Sequence, residues 1–265
     1  MTPQSPAPTK AELILALRAA GCVFAEDEAG LLIAESTSAT ELADRMRRRV
    51  SGEPLEVILG WAEFAGLRIA IDPGVFVPRR RTEYLVRRAI RLATPESTVV
   101  DLCCGSGALG AALAASVPGI RLFASDLEPA AVACARRNLA DVGEVFEGDL
   151  FDALPPELRG HVDILLVNAP YVPTAEIAGM PPEARDYEPL VTLDGGSDGL
   201  DVHRRVAAAA SDWLASGGAV LIETSVRQAP VAVAMFEAAG LSAAVKHSTK
   251  RGATVILGTK PRHAA

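Results

Sequence analysis

Two groups of residues in this sequence have types and spacings that could do chemistry. The first is Asp101-Leu102-Cys103-Cys104-Gly105-Ser106-Gly107-Ala108-Leu109-Gly110, with glycines at G-x-G-x-x-G spacing, followed by Asp126 and Asp149. Glycines at such a turn let a backbone approach a ligand at the carboxyl end of a sheet. Alone, the spacing also fits dinucleotide-binding enzymes. The second group is Asn168-Ala169-Pro170-Tyr171, directly after an apolar run. It could hold a planar nitrogen in place.

Asp101 separates the ligand classes. It stands at the end of a strand, just before the turn. A carboxylate there would face a pyrophosphate unfavourably and an ammonium group favourably. S-Adenosylmethionine carries an ammonium group in its methionine part. The competing reading is that Asp101 only caps the turn by accepting from nearby N–H groups. Asp126 ends the next strand, where an acid can accept both ribose hydroxyls. An ordinary surface aspartate is the alternative. Asp149, in Gly148-Asp149-Leu150-Phe151, could accept an adenine amino group while Leu150 covers the ring. Cys103 and Cys104 read as packing residues and not as nucleophiles.

An amide nitrogen is a poor nucleophile because its lone pair is delocalised into the carbonyl. Two acceptors for its N–H groups favour lone-pair density on nitrogen. The Asn168 Oδ1 and the carbonyl of Ala169 could supply them. Pro170 fixes its own φ and pushes Ala169 towards an extended conformation. Tyr171 offers a ring to cover a planar substrate. A proline-bearing turn after a strand is the blander reading.

These residues need elements to hold them. Residues 1 to about 9 read as a flexible tail. Helical spacing covers Ala11 to Ala20 and about Ser38 to Val50, the latter ending on the basic run at Arg47, Arg48 and Arg49. Leu67, Ile69 and Ile71 alternate with other residues as in a strand, and Gly66 suggests a hairpin with Phe64. Arg81 to Ala93 reads as a helix. Strands are expected at Thr98–Leu102, Ile120–Ser125, Val162–Val167, Ala219–Ile222 and Ala253–Leu257. Pro129 opens a further helix. Alternating helices and apolar strands imply an α/β fold with a mostly parallel sheet covered on both faces.

Bulk properties limit the function classes. The 265 residues suffice for one large or two modest domains with a sizeable core. A net charge of −7 argues against binding nucleic acid through phosphates. The four cysteines form no C-x-x-C pair, so a disulfide framework or a metal site is not expected. The first ten residues do not read as a signal peptide, and no apolar run would span a bilayer. A cytoplasmic location follows by default.

The chain resembles the protein-(glutamine-N5) methyltransferases, the release-factor-modifying type in particular. The resemblance rests on several ordered stretches. They begin with Gly52-Glu53-Pro54-Leu55, Glu63 to Leu67, and Val75-Phe76-Val77-Pro78-Arg79 with Thr82-Glu83. Asp101-Leu102 with Gly105-Ser106-Gly107, and Asn168 with Pro170-Tyr171, follow. Arg185 to Pro189 and Asp194 to Leu200 complete the set. It implies a helical domain over 1–60, a β-hairpin linker over 61–75 and a seven-stranded Rossmann-like S-adenosylmethionine-dependent methyltransferase domain over 76–265. It implies cofactor contacts at Asp101, Cys103, Cys104, Gly105, Ser106, Gly107, Asp126, Leu127, Asp149, Leu150 and Asn168. Substrate contacts are implied at Phe76, Asn168, Ala169, Pro170 and Tyr171, with Asn168, Pro170 and Tyr171 catalytic. The implied partner is a peptide-chain release factor presenting glutamine in a Gly-Gly-Gln loop.

Three departures from the family pattern stand out. Ala169 replaces a proline. Arg80 and Arg81 replace a proline and an acid. Cys103 and Cys104 replace a glycine and a threonine. Three other readings compete with a glutamine acceptor. They are an adenine or cytosine amino group in nucleic acid, a cofactor-binding homologue without turnover, and an NAD enzyme suggested by the glycines alone.

Overall fold

The structure, a computed structural model, describes residues 8–262. The first helix, α1 (Lys10–Ala19), starts at a capping box. Thr9 accepts from the Glu12 N–H, and the Glu12 carboxylate accepts from the Thr9 N–H at 2.8 Å. The expected tail falls largely on residues 1–7, outside the described residues. Helices α2 (Ala25–Glu35), α3 (Ala39–Val50) and α4 (Leu55–Leu59) follow. They enclose a small core of Leu13, Leu17, Ala25, Ala29, Leu32, Leu42 and Ile58.

Strands β1 (Trp61–Phe64) and β2 (Leu67–Ala70) form the anticipated hairpin, with Phe64 opposite Leu67. The two-residue loop needs positive φ at both positions, and Ala65 and Gly66 adopt φ 52° and 81°. Phe64 and Ile69 point into the main core. A 3-10 turn at Arg80–Thr82 then leads into α5 (Glu83–Ile90), a shorter helix than the sequence pattern suggested.

The remaining elements alternate. They are β3 (Thr98–Leu102), α6 (Ala108–Ser116), β4 (Arg121–Asp126), α7 (Pro129–Asn138), β5 (Gly143–Glu147) and β6 (Val162–Val167). After them come α8 (Pro182–Tyr187), α9 (Asp201–Trp213), β7 (Leu214–Thr224), α10 (Ala229–Ala238), β8 (Ser242–Ser248) and β9 (Ala253–Thr259). The seven-stranded sheet has order β5-β4-β3-β6-β7-β9-β8, and only β9 runs against its neighbours. The α/β fold with a seven-stranded sheet is as expected.

The central strands β3 and β6 are buried almost throughout because helices cover both faces. Strand order reverses between β3 and β6, since β4 and β5 lie to one side and β7 to the other. In open α/β sheets a ligand crevice forms at such a switch point, outside the carboxyl ends of the strands. Those ends carry Asp101, Asp126, Asn168 and Glu223. Among the described residues no helix is long and apolar enough to cross a membrane.

Candidate active site

A cavity of about 480 Å³ opens at this switch point. That volume suits a cofactor-sized ligand. Its wall includes Phe76, Cys103, Cys104, Gly105, Ser106, Asp126, Leu127, Asp149, Leu150 and the whole Asn168–Tyr171 tetrapeptide. Of the cofactor and substrate contacts that the resemblance implies, only Asp101 and Gly107 do not line it.

The glycine turn is tight for readable reasons. Cys103, Gly105 and Gly107 all have left-handed backbones, at φ 54°, 54° and 76°. Glycine accepts this conformation freely, whereas Cys103 carries a strain of roughly 1–2 kcal/mol. A β-carbon on Gly107 would lie 3.0 Å from Leu139, and one on Gly110 would lie 3.0 Å from Leu122. The absence of side chains there lets the start of α6 lie close against the end of α7 at Gly107 and against β4 at Gly110. The Cys103 thiol is pushed up by burial, and the carboxylates of Asp126, Asp101 and Asp149 push it further. It is thus a poor nucleophile.

Asp101 is buried behind the turn. Its Oδ2 accepts from the Gly110 N–H at 2.9 Å, which ties the end of β3 to the first turn of α6. Its Oδ1 has no partner among the described residues. Burial pushes its carboxyl up to about 8. The capping reading of Asp101 therefore has a bond behind it, while one oxygen stays available.

Asp126 sits at the cavity wall. It accepts from the Gly105 N–H at 2.8 Å and from the Glu128 N–H at 3.0 Å, one bond to each oxygen. A carboxylate offers about four acceptor positions, so two remain for a pair of hydroxyls. Burial raises its pKa, with the backbone donors opposing. Asp149 is paired with Arg205 at 2.7 Å, a partner that sequence spacing did not indicate. Leu150, at φ 50°, is buried beside it. These donors and acceptors suit an adenosine with a cationic tail, and the turn presents no lysine for a phosphate.

The Asn168 side of the cavity is built differently. Asn168 follows β6 directly, and no hydrogen bond within the described residues engages its side chain. Ala169 is buried. The chain beyond is clamped from below by a glycine-rich segment. Val172 bridges Asp194, and the Gly195 N–H donates to the Val172 carbonyl at 2.9 Å. Gln228 Nε2 donates to the Tyr171 carbonyl at 2.9 Å. A β-carbon on Gly199 would lie 2.3 Å from that same carbonyl, so a side chain there would displace the tetrapeptide.

Tyr171 belongs to a charged cluster that sequence reading missed. Its hydroxyl donates to Glu223 Oε1 at 2.9 Å and accepts from Arg81 Nη2 at 2.8 Å. Arg81 Nε also donates to Glu223 Oε1, at 3.0 Å. Burial raises the Tyr171 phenol above its ordinary value, and Glu223 raises it further, so it stays protonated. His203 packs edge-on against the Tyr171 ring. Phe76 stacks under Arg79, which pairs with Glu188 at 2.6 Å. Burial pushes the Glu188 carboxyl up, with Arg79 opposing. Arg80, by contrast, lies on the surface facing Glu63.

Comparison with known proteins identifies the family. Residues 66–179 match the family model "Methyltransferase small domain". A release factor glutamine methyltransferase of Geobacter sulfurreducens is 40% identical over 196 residues, covering 73% of this chain and 68% of that protein. One from Bifidobacterium longum is 36% identical over 255 residues, covering 88% and 86%. A 4-amino-L-phenylalanine/4-methylamino-L-phenylalanine methyltransferase of Streptomyces pristinaespiralis is 39% identical over 203 residues, covering 74% and 69%. In fold, a methyltransferase from Pyrococcus furiosus superposes with TM-score 0.57 at 17% identity, over 83% of this chain and 99% of its own. With the sheet order, the cavity and these identities in agreement, the chain belongs to the release factor glutamine methyltransferase family of S-adenosylmethionine-dependent enzymes.

Proposed function

We propose that this chain transfers a methyl group from S-adenosylmethionine to the side-chain amide nitrogen of a glutamine in a peptide-chain release factor. The observation that carries this reading is Asn168. Among the described residues its amide has no hydrogen-bond partner, and Asn168 lines the same cavity as the glycine turn. Asp126, Leu127, Asp149 and Leu150 would hold the adenosine end. Cys103, Cys104, Gly105, Ser106 and Gly107 would shape the turn against the rest, and the free Asp101 oxygen lies behind it. When bound, the cofactor supplies a methyl group on a sulfonium.

The chain's own residues do the remaining work. Asn168 Oδ1 and the Ala169 carbonyl accept from the amide N–H groups and direct the nitrogen lone pair along the transfer axis. Tyr171, held by Arg81 and Glu223, and Phe76, held by Arg79, cover the planar group. Orientation of this kind contributes up to roughly 7–11 kcal/mol to a displacement. Ala169 keeps the carbonyl that a proline would present. Its burial restrains a backbone that lacks the ring. This reading places the enzyme in the cytoplasm with the translation machinery.

Purified release factor with labelled cofactor, followed by mass spectrometry of the Gly-Gly-Gln peptide, tests it. One added methyl on the glutamine side chain supports the reading. A second reading, transfer to an aromatic amine, draws on the 39% identity to the aminophenylalanine enzyme. An arylamine is also a planar nitrogen with a delocalised lone pair. Label on 4-aminophenylalanine and none on the release factor would favour it.

A further inference from the structure

Glu223 stands next to Asn168 across the sheet. In the parallel pairing of β6 with β7, Val167 is opposite Ile222. Asn168 directly follows Val167 and Glu223 directly follows Ile222, so the two sit at neighbouring strand ends, and neighbouring strands lie about 5 Å apart. Both line the cavity. Glu223 is 2% exposed. Its Oε1 takes both available donors, Arg81 Nε and the Tyr171 hydroxyl. Its Oε2 is buried and has no partner among the described residues. A buried carboxylate oxygen without a donor is costly, and a ligand that brings a proton to it removes that cost.

We propose that Glu223 Oε2 accepts the proton that the acceptor nitrogen loses on methylation, an assignment that rests on the amide reading above. The acceptor nitrogen forms its bond to the methyl carbon as the carbon–sulfur bond breaks, the bonding pair staying with sulfur. As that bond forms, positive charge develops on the nitrogen and its surplus proton becomes strongly acidic. The proton passes to Glu223 Oε2 in the same transition state, leaving a neutral N-methyl amide and a neutral carboxylic acid, which later returns its proton to solvent. A carboxylate is a weak base, but an N-protonated amide is a far stronger acid than a carboxylic acid. Arg81 and Tyr171 hold the carboxylate so that its second oxygen is the one left for the substrate.

Glu223→Gln separates this role from mere anchoring of Tyr171. The glutamine carbonyl still accepts from Arg81 and Tyr171, but the basic oxygen is gone. With the Gly-Gly-Gln peptide, kcat in Glu223→Gln should fall about 100-fold, the ordinary scale of proton-transfer catalysis. The KM for the peptide and the affinity for cofactor should be unchanged. Formate should restore part of the kcat lost in Glu223→Ala. A wild-type kcat in Glu223→Gln, or no rescue by formate in Glu223→Ala, would overturn the assignment. Failure of the wild-type enzyme to methylate the peptide would overturn the amide reading with it, and the same assay distinguishes the two outcomes.

Discussion

Arg81 Nη2 donates to the Tyr171 hydroxyl at 2.8 Å, joining two residues 90 positions apart. Arg81 is also the cation that faces buried Glu223. The bond makes a departure from the family pattern part of the cavity wall. Arg81→Met would leave the Glu223 carboxylate buried without its cation. Arg81 itself is 46% exposed, so the loss should be at the low end for such pairs, about 1–2 kcal/mol. Chemical denaturation measures that loss. The freed Tyr171 ring should raise KM for the peptide acceptor while cofactor affinity stays the same.

A second ion cluster connects the small helical core to the rim of the cavity. Arg49, 5% exposed, pairs with Glu28 on α2 at 2.6 Å and with Glu183 on α8 at 2.6 Å. Glu183 lines the cavity, and the nearby Tyr187 hydroxyl donates to the Ser51 carbonyl at 2.9 Å. Arg49→Met should destabilise the protein by about 3 kcal/mol, because Glu28 stays largely buried without a cation. Calorimetry reads the stability. Kinetics should show a higher KM for the protein acceptor and unchanged cofactor binding.

The part of the cavity proposed to hold the cofactor was legible in the sequence because it is local. Glycine spacing, the carboxylates at strand ends and the apolar strands run from β3 through β5 in one βαβαβ stretch. The acceptor cluster was not legible in the same way. Arg81 and Glu223 meet across 142 positions, and pairing of that range leaves no periodic trace. One signal for Glu223 was present, an acid directly after the apolar run Ala219–Ile222. Helix α2 also carried a signal. Ala25, Ala29 and Leu32 fall on one face, and the first turn carries Glu26, Asp27 and Glu28. Strand β7 was expected only over Ala219–Ile222 because Gly217 and Gly218 look like a break. In the fold Gly217 turns at φ 82° within a longer strand, and the β6–β7 pairing shifts register beside it. Strand β8 lies at the sheet edge, so its partly exposed residues show no continuous apolar run.

His203 provides a pH test. Its Nε2 lies 2.9 Å from the Glu223 carbonyl, so that nitrogen carries the hydrogen, and Nδ1 has no partner among the described residues. Burial pushes its pKa down to about 4, against 6.5 for an ordinary histidine. Between those values the unfolded chain binds a proton that the folded chain does not. Stability is therefore fully present above about pH 6.5 and falls as pH drops towards 4, by about 2 kcal/mol near pH 5. Asp101, raised to about 8, acts with the opposite sign, its penalty growing as pH rises from about 4 to 8. The informative comparison is therefore between variants at each pH. His203→Phe should lose less stability than wild type between about pH 7 and pH 5. An equal loss in both proteins, measured by denaturation, would assign the acid sensitivity elsewhere.

Asn168 bears the central claim. Methyl transfer to the glutamine-bearing peptide should be measured by mass spectrometry for wild type and Asn168→Ala side by side, with cofactor binding measured on both. The wild-type enzyme should add one methyl to the glutamine side chain. Asn168→Ala should fold normally and still bind cofactor, but turn over at least about 100-fold more slowly, the scale seen when one positioned hydrogen-bonding group is removed from a reacting centre. Near-normal turnover in Asn168→Ala, or a methyl found on another group of the peptide, would contradict the account.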